Sequence, residues 1–223
     1  MSVAKERVDT DHVPMRNRLR TILIAASVAA AALAVGAPSA SAGLLVKSAP
    51  DCSAKPTSKP FAFTGDQTDY VLAPGGDFES TSDPDAWDLN GNASLQADNE
   101  PWNASGDGSR SLRLGPGASA VSPVMCVGIE HPTVRFFAKN NRALLSTLTV
   151  SVIFETSIGL KAELPVGTLL PNGQWRPSPK VLVLVNLLPL LPGERTPVQF
   201  RVTSVGLGTW SVDDFYLDPR CRF

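Results

Sequence analysis

The sequence predicts an all-β protein, an antiparallel β-sandwich in a single domain, from three observations. About ten short segments rich in β-branched and aromatic residues follow one another, and several alternate apolar with polar residues. Turn-forming residues separate these segments, with 17 glycines and 19 prolines in the 223 residues. Beyond residue 42 the apolar residues show almost no helical periodicity. Short strands divided by such turns are typical of β-sandwiches.

The first half of this domain contributes strands delimited by turns rich in glycine and proline. Residues 110–114 alternate, with Leu112 and Leu114 on one face and Arg113 on the other, as in a half-buried strand. Asn90 and Gly91 form a strong hairpin signal between two further segments. One predicted strand ends at Leu72, and the others cover residues 86–89, 93–97, 110–114 and 121–127.

The second half contains the clearest alternation. In residues 148–155 every second residue is apolar, and residues 133–139 and 196–203 follow a similar rule. We predict a hairpin partner over 160–164 and a closing strand over 209–217. The run 181–188 is continuously apolar, so it is either a strand buried on both faces or a strand followed by a packed loop.

Residues 1–42 have the three parts of a secretory signal peptide. Arg16, Arg18 and Arg20 form a charged region, residues 21–37 are apolar and uncharged, and Ala40 and Ala42 form a small-residue cleavage site. A membrane anchor is the alternative, because the apolar run is near the shortest length that spans a bilayer. The small residues after the run favour cleavage. Residues 1–14 are polar and are either an over-extended start or a long charged region.

The rest of the chain divides into an extended arm, residues 43–68, and the sandwich domain, residues 69–220. Beyond residue 42 there are 15 basic and 18 acidic residues, a net charge of about −3. Because the sequence has no basic cluster, nucleic acid is not an expected partner. No apolar run long enough to span a membrane remains after signal cleavage. We expect a monomer that is secreted, extracellular or held at the cell surface.

No catalytic residue is assigned, because the patterns of common active sites do not occur. His131 is the sole imidazole after residue 42, so a Ser-His-Asp site could use no other base. The Gly-x-Ser-x-Gly, P-loop and His-Glu-x-x-His patterns do not occur. Glycoside cleavage needs two paired acids, and spacing alone cannot pair them. The available acids include Glu79, Glu155, Glu163, Asp213 and Asp214.

Three cysteines, Cys52, Cys126 and Cys221, allow one disulfide bond and leave one thiol over. Export to an oxidising compartment favours a disulfide. The wide spacing of the cysteines does not match the C-x₂-C pattern of zinc sites. The residues alone leave the pairing open, with Cys52 bonded either to Cys126 or to Cys221.

Two short motifs near the ends of the domain carry a family resemblance. The first is Pro-Gly-Gly-Asp-Phe-Glu at 74–79, with Trp87 shortly after it, and the second is Trp-Ser-Val-Asp-Asp-Phe-Tyr-Leu at 210–217. Together they resemble the β-jelly roll of carbohydrate-binding modules, also called the galactose-binding-like fold, over roughly residues 70–218. The resemblance implies a jelly-roll sandwich and a disulfide between Cys52 and Cys126, with Cys221 free.

The same resemblance implies a structural calcium ion that joins the first and last strands. Its ligands would be Glu79 and Asp213 or Asp214, with backbone oxygens of residues 75–77. Calcium prefers several hard oxygen donors, and adjacent carboxylates in an apolar strand cost free energy unless they are neutralised. The alternative is a bulge in which Asp213 and Asp214 accept backbone N–H bonds and no metal is bound.

Aromatic side chains are the candidates for a sugar-binding surface, because exposed rings stack on pyranose faces. Trp102 is the strongest candidate, since it lies in the polar loop 98–109 with little apolar company. Trp175 and Tyr70 are further candidates. Trp87 and Trp210 flank strand residues and are expected in the core.

These observations predict a secreted, non-catalytic binding protein that recognises carbohydrate or another component of the cell envelope or extracellular space. The alternative is a structural or protein-interaction protein of the cell surface without a sugar site, and a glycoside-cleaving enzyme is the third possibility. Fold alone cannot choose among them. An exposed aromatic surface favours the first, a smooth apolar patch the second, and two acids in a cleft the third.

Overall fold

The computed structural model describes residues 45–49, 52, 55–80, 82, 86–141, 143–187 and 194–218. The chain divides into two units, Met1–Ser41 and Ala42–Phe223, and every described residue belongs to the second. The predicted signal peptide at 1–42 and the third cysteine, Cys221, lie outside the described residues. Within the described ranges, no helix is long and apolar enough to cross a membrane.

Thirteen strands and two short 3-10 helices make up the regular structure of the described residues. The helices are Ala62–Thr64 and Val185–Leu187. The strands are β1 (Val71–Leu72), β2 (Asp88–Asn90), β3 (Ala93–Gln96), β4 (Ser111–Leu114), β5 (Ser119–Val121), β6 (Met125–Gly128), β7 (Thr133–Asn140), β8 (Ser146–Glu155), β9 (Lys161–Leu169), β10 (Arg176–Pro177), β11 (Val181–Leu182), β12 (Arg195–Gly206) and β13 (Trp210–Leu217).

These strands form two antiparallel sheets. The first sheet has the order β10-β7-β13-β4-β3, with β1 also paired to β13 and β11 to β7. The second sheet has the order β2-β5-β12-β8-β9, with β6 also paired to β12. Neighbours in each sheet are often distant in sequence, as in sandwiches with long crossovers. The predicted all-β antiparallel sandwich is confirmed.

Two sequence expectations are refined by the strand boundaries. The segment 121–127, predicted as one strand, is divided between β5 and β6 around Pro123, which has no backbone N–H for a ladder. The run 181–188 is not a strand buried on both faces. Strand β11 ends at Leu182, whose side chain is exposed, and Leu184 has a left-handed φ of 59°. A strand followed by a packed loop is the correct description as far as residue 187.

The main hydrophobic core lies between the inner faces of the two sheets. Because strand side chains alternate, Val134, Phe136 and Ala138 of β7 are all buried there. Phe215 of β13 stacks on Phe136, with ring centres 5.2 Å apart and planes 6° apart. Burying each such side chain stabilises the fold by about 1.5–3 kcal/mol. The face predicted for β8 is buried or packed against the same core through Leu148, Val150, Val152 and Phe154.

Trp87 and Trp210 lie in this core, as predicted. Their indole N–H groups are paired, which removes the cost of burying a polar group. Trp87 donates to the carbonyl of Pro74 at 3.0 Å, and Trp210 donates to Ser146 Oγ at 2.8 Å.

A disulfide joins Cys52 to Cys126, with the two Cα atoms 6.0 Å apart. This is the pairing that the family resemblance implies. It attaches residue 52 of the arm to β6, in the second sheet.

Candidate functional site

A second aromatic cluster covers the outer face of the first sheet. Alternation along β7 and β13 directs Phe137 and Tyr216 away from the core. Phe61, from the arm, packs on both rings, with centres 5.2 Å and 5.7 Å away. Tyr70 meets Phe61 edge-on at 5.0 Å. The arm therefore lies over this face of the sheet and closes a small core of its own.

An ion pair fixes the arm at the edge of this cluster. Arg135 Nη1 lies 2.7 Å from Asp66 Oδ2, and Lys180 Nζ lies 3.2 Å from the same oxygen. Burial by itself raises the pKa of Asp66, but hydrogen bonds from Thr68, Tyr70 and Lys180 outweigh it and hold the pKa well below its usual range. The carboxylate is therefore charged at every physiological pH.

Tyr70 is part of this cluster, which corrects the expectation that it faces a ligand. Its side chain is fully buried, and its hydroxyl donates to Asp66 Oδ2 at 2.7 Å. Since no ring face is open to solvent, Tyr70 fixes the arm and is not available for stacking on a sugar.

Two rings next to this cluster remain exposed, and together we call them the aromatic platform. Phe63 and Trp102 stack with centres 4.9 Å apart and planes 15° apart. Their exposed fractions are 50% and 39%. Trp102 also stacks on the buried Phe137 at 5.3 Å and 27°, so the platform rests on a fixed base. Phe63 was missed by the sequence reasoning, and the only signal for it is the pair of phenylalanines in residues 47–68, a stretch that is otherwise small and polar.

The loop that carries Trp102 is held by a buried glutamate that the sequence reasoning also missed. The backbone N–H of Trp102 donates to Glu100 Oε2 at 2.6 Å, and that of Ala104 donates to Glu100 Oε1. The N–H of Glu100 in turn donates to Asp213 Oδ2 at 3.1 Å, and the N–H of Ser105 donates to Asp214 Oδ2 at 3.0 Å. Three buried carboxylates thus set the position of the Trp102 loop.

Asp213 and Asp214 sit in a bulge of the last strand. The register of β13 against β7 shifts between Asp213 and Tyr216, and Asp214 has a left-handed φ of 50°. Asp213 Oδ1 accepts the N–H of Asp214 at 2.9 Å. Burial and then repulsion from Asp214 raise the pKa of Asp213 to about 9. Burial also raises the pKa of Asp214. The bulge with backbone N–H donors, left open by the sequence, is present.

The residues predicted to bind calcium are not all brought together. Glu79 Oε1 accepts the N–H groups of Ser109 and Arg110, both at 2.8 Å, and so fixes the chain just before β4. Across the described ranges, no three Asp, Glu, His or Cys side chains form a group that could hold a metal ion. A site built on Glu79 with Asp213 and Asp214 does not fit this arrangement. Asp213 and Asp214 still offer hard oxygen donors at the bulge, but with Glu100 they form no three-carboxylate metal group.

Trp175 lies on the same side of the first sheet as the platform, but it is partly covered. It packs against the second aromatic cluster, and Lys139 Nζ lies 4.9 Å from its ring centre. Lys139 also forms an ion pair with Asp98 at 2.7 Å. One ring face is therefore occupied by a cation, so Trp175 offers less free surface than Trp102 does.

His131 is a structural residue. It is buried, and its Nδ1 accepts the backbone N–H of Gly128 at 3.1 Å, which assigns the ring proton to Nε2. Burial lowers its pKa, so the ring stays neutral.

The outer face of the second sheet is polar and differs from the platform. The outward residues of β12 include Gln199, Arg201 and Thr203, and Arg201 pairs with Glu163 of β9. The described tryptophan and tyrosine side chains lie in the core or on the outer face of the first sheet. The best surface for stacking on a sugar is therefore the outer face of the first sheet.

No family model and no curated protein match the chain. Among solved structures it is similar to the CBM22-1 xylan-binding domain of Xyn10C from Paenibacillus barcinonensis, at 14% identity and a TM-score of 0.46, over 70% of this chain and 97% of that one. It is also similar to a family 11 carbohydrate-binding module from Clostridium thermocellum, solved with a β-1,3-1,4-mixed-linked tetrasaccharide, at 11% identity and a TM-score of 0.38, over 66% and 95% of the two chains.

A third similar structure is the CBM22-1 and GH10 part of xylanase 10B from Clostridium thermocellum, complexed with xylohexaose. It has 13% identity and a TM-score of 0.41 over 60% of this chain, and the match spans 26% of the xylanase chain. These are similarities of fold to proteins that contain carbohydrate-binding modules, the type of domain that the two terminal motifs resemble.

Proposed function

We propose that this chain is a secreted, non-catalytic protein that binds carbohydrate of the cell envelope or extracellular space through the aromatic platform. The observation that supports this function is the pair of exposed, nearly parallel rings of Phe63 and Trp102. The C–H groups of a pyranose ring pack on such flat faces, and leaving two large rings in water costs free energy that a ligand recovers.

The platform is fixed before a ligand arrives, which lowers the entropic cost of binding. Phe137 supports Trp102 from below, and Glu100 fixes the backbone of its loop. Side-chain amides flank the rings and suit sugar hydroxyls. Asn99 Nδ2 donates to Asn103 Oδ1 at 2.9 Å, so the two amides form one polar edge beside Trp102.

The acids near the platform favour binding over cleavage. Glycoside hydrolysis uses two carboxyl groups that reach the scissile bond. Glu100, Asp213 and Asp214 are instead buried, and each accepts a backbone N–H. They hold the loop in place, and their oxygens do not face a bound glycan.

We propose calcium for the bulge on the chemistry of Asp213 and Asp214 alone, with backbone oxygens completing its ligands. Burial raises the pKa of Asp213 and Asp214, so their charged forms cost free energy there, and a cation, like a proton, would offset that cost. In the described part of the chain, the ion pairs do not include Glu100, Asp213 or Asp214. The ion would stabilise the loop that carries Trp102.

A binding screen of residues 43–223 against a glycan array and insoluble polysaccharides, with calcium and with chelator, tests the function. For a glycan that binds, Trp102→Ala is expected to weaken the affinity at least about tenfold, the equivalent of 1.4 kcal/mol. Phe63→Ala is expected to act in the same direction. Trp102→Phe keeps a ring and is expected to retain most of the affinity.

The matched control is Leu164→Ala on the second sheet, because Leu164 has the same exposed fraction as Trp102, 39%. It is expected to leave affinity unchanged. If a glycan binds and Trp102→Ala has no effect, the platform is not the site. If no glycan binds, the protein-interaction alternative is favoured.

A further inference from the structure

One end of the sandwich is formed by loops whose exposed residues are mostly apolar. The start of β8 at Ser146 pairs with the end of β12 at Gly206, and Leu148 pairs with Leu169 at the end of β9. These registers bring the β7–β8, β9–β10 and β12–β13 loops to the same end. We call the four leucines that these loops expose the leucine end: Leu144, Leu145, Leu170 and Leu207.

These leucines are strongly exposed, with 75% to 87% of each residue in contact with solvent. Single exposed apolar residues are common on proteins, but four in adjacent loops mark an interaction site. The loops are not loose segments, because backbone hydrogen bonds connect them. Asn141 N donates to the carbonyl of Thr209 at 3.0 Å, and Asn140 N donates to that of Asn172 at 3.0 Å.

Charge is distributed unequally between the two ends of the sandwich. The described residues of the five loops at the leucine end, 91–92, 115–118, 141, 143–145, 170–175 and 207–209, contain no Asp, Glu, Lys or Arg. Loops at the opposite end carry most of the acids, among them Glu79, Glu100, Asp107 and Glu130. The leucine end can therefore approach an apolar or anionic layer without burying a carboxylate.

We propose that the leucine end inserts into the surface of a lipid bilayer and holds the protein there as a peripheral protein. Separate loop tips can each enter the boundary between headgroups and acyl chains, where leucine is stabilised and the polar backbone behind it stays hydrated. A second copy of this chain fits the leucine end less well than a bilayer does. A stable dimer buries about 800 Å² on each partner, and four protruding side chains supply less than that.

The surface is distinct from the carbohydrate platform, so the two proposals can fail separately. Sedimentation with vesicles of three parts phosphatidylcholine and one part phosphatidylglycerol tests the insertion. The protein used is residues 43–223, since both apolar clusters and the disulfide lie within this segment and the apolar run at 21–37 would itself bind lipid. The segment is expected to partition onto the vesicles, and the double variant Leu144→Ser, Leu207→Ser is expected to partition at least about tenfold less.

The matched control replaces exposed apolar residues at the opposite end, Ile158→Ser and Leu160→Ser, in the turn between β8 and β9. This variant is expected to partition like the unmodified segment. Unchanged melting temperatures show that both variants fold. The proposal is overturned if the segment does not partition, or if the leucine variant partitions as well as the control. It is also overturned if sedimentation velocity shows a dimer that the leucine variant loses, because the occupant is then a second copy.

Discussion

The backbones of Gly76 and Phe215 are in contact and so join the first and last parts of the domain sequence. The N–H of Phe215 donates to the carbonyl of Gly76 at 2.9 Å, and a Cβ placed on Gly76 would lie 2.8 Å from the carbonyl oxygen of Phe215. The glycine of the first motif is therefore required by the backbone of the last strand. This contact places the two motifs side by side in the fold.

Gly76→Ala is expected to lower the free energy of unfolding by about 1–3 kcal/mol, because the added methyl group meets backbone atoms that cannot move alone. Urea unfolding measures the change. Gly117→Ala is the comparison: its site is open, so only the positive φ of 72° costs free energy, and the loss should be smaller. Equal losses at the two positions would contradict the proposed contact.

The fold was largely predictable from the sequence, because strand alternation and turn residues are local signals. The inward faces of β7 and β8 follow directly from every second residue being apolar. The motifs at both ends of the domain also pointed to a contact between the first and last strands, and β1 is indeed paired with β13.

The candidate site was predictable only in part, because its parts come from distant segments. Trp102 was identified by its polar surroundings, but its partner Phe63 belongs to the arm and has no periodic signal. The carboxylate of Glu100 accepts hydrogen bonds from Trp102 and Ala104 in its own loop. Nothing in the sequence of this loop distinguishes that glutamate from one in any other polar loop. Tyr70 could not be recognised as buried, since the only helix in the described part of the arm that covers it is the three-residue 3-10 helix Ala62–Thr64, which gives no periodic signal.

The disulfide between Cys52 and Cys126 is expected to stabilise the protein mainly by restricting the unfolded chain. It connects residues separated by 74 positions, and a closed loop of that length corresponds to about 4 kcal/mol in the chain-entropy estimate. Peptide mapping without reductant should recover the Cys52–Cys126 pair. The double variant Cys52→Ser, Cys126→Ser should unfold at a lower urea concentration. A Cys52–Cys221 peptide pair would refute this connectivity.

Asp66→Asn is expected to destabilise the attachment of the arm. The substitution leaves Arg135 without its carboxylate in a largely buried position, which costs roughly 3 kcal/mol near neutral pH. Because the pKa of Asp66 is lowered in the folded protein, its contribution is present above about pH 4 and is lost as the pH falls further.

Urea unfolding at pH 7 and near pH 2.5 measures this contribution. The difference between Asp66→Asn and the unmodified protein should be large at pH 7 and should shrink at the acidic pH. Asp107→Asn, at an exposed position in the loop after Trp102, should have little effect at either pH. A difference that does not depend on pH would show that Asp66 acts through shape alone.

Asp213 should give the opposite pH dependence, and this dependence also tests the metal. Its pKa is raised from 3.8 to about 9, so between these values the folded state holds a proton that the unfolded state releases. The resulting stability is present in full below about pH 4 and is lost as the pH rises toward 9. In chelator, the melting temperature should therefore be higher at pH 5 than at pH 8, and Asp213→Asn, which mimics the protonated acid, should reduce that difference.

Calcium competes with protons for the same carboxylates, so adding it should raise the melting temperature at pH 8 more than at pH 5. If calcium has no effect at pH 8, the bulge holds no metal, and backbone N–H donors and retained protons alone account for its buried acids.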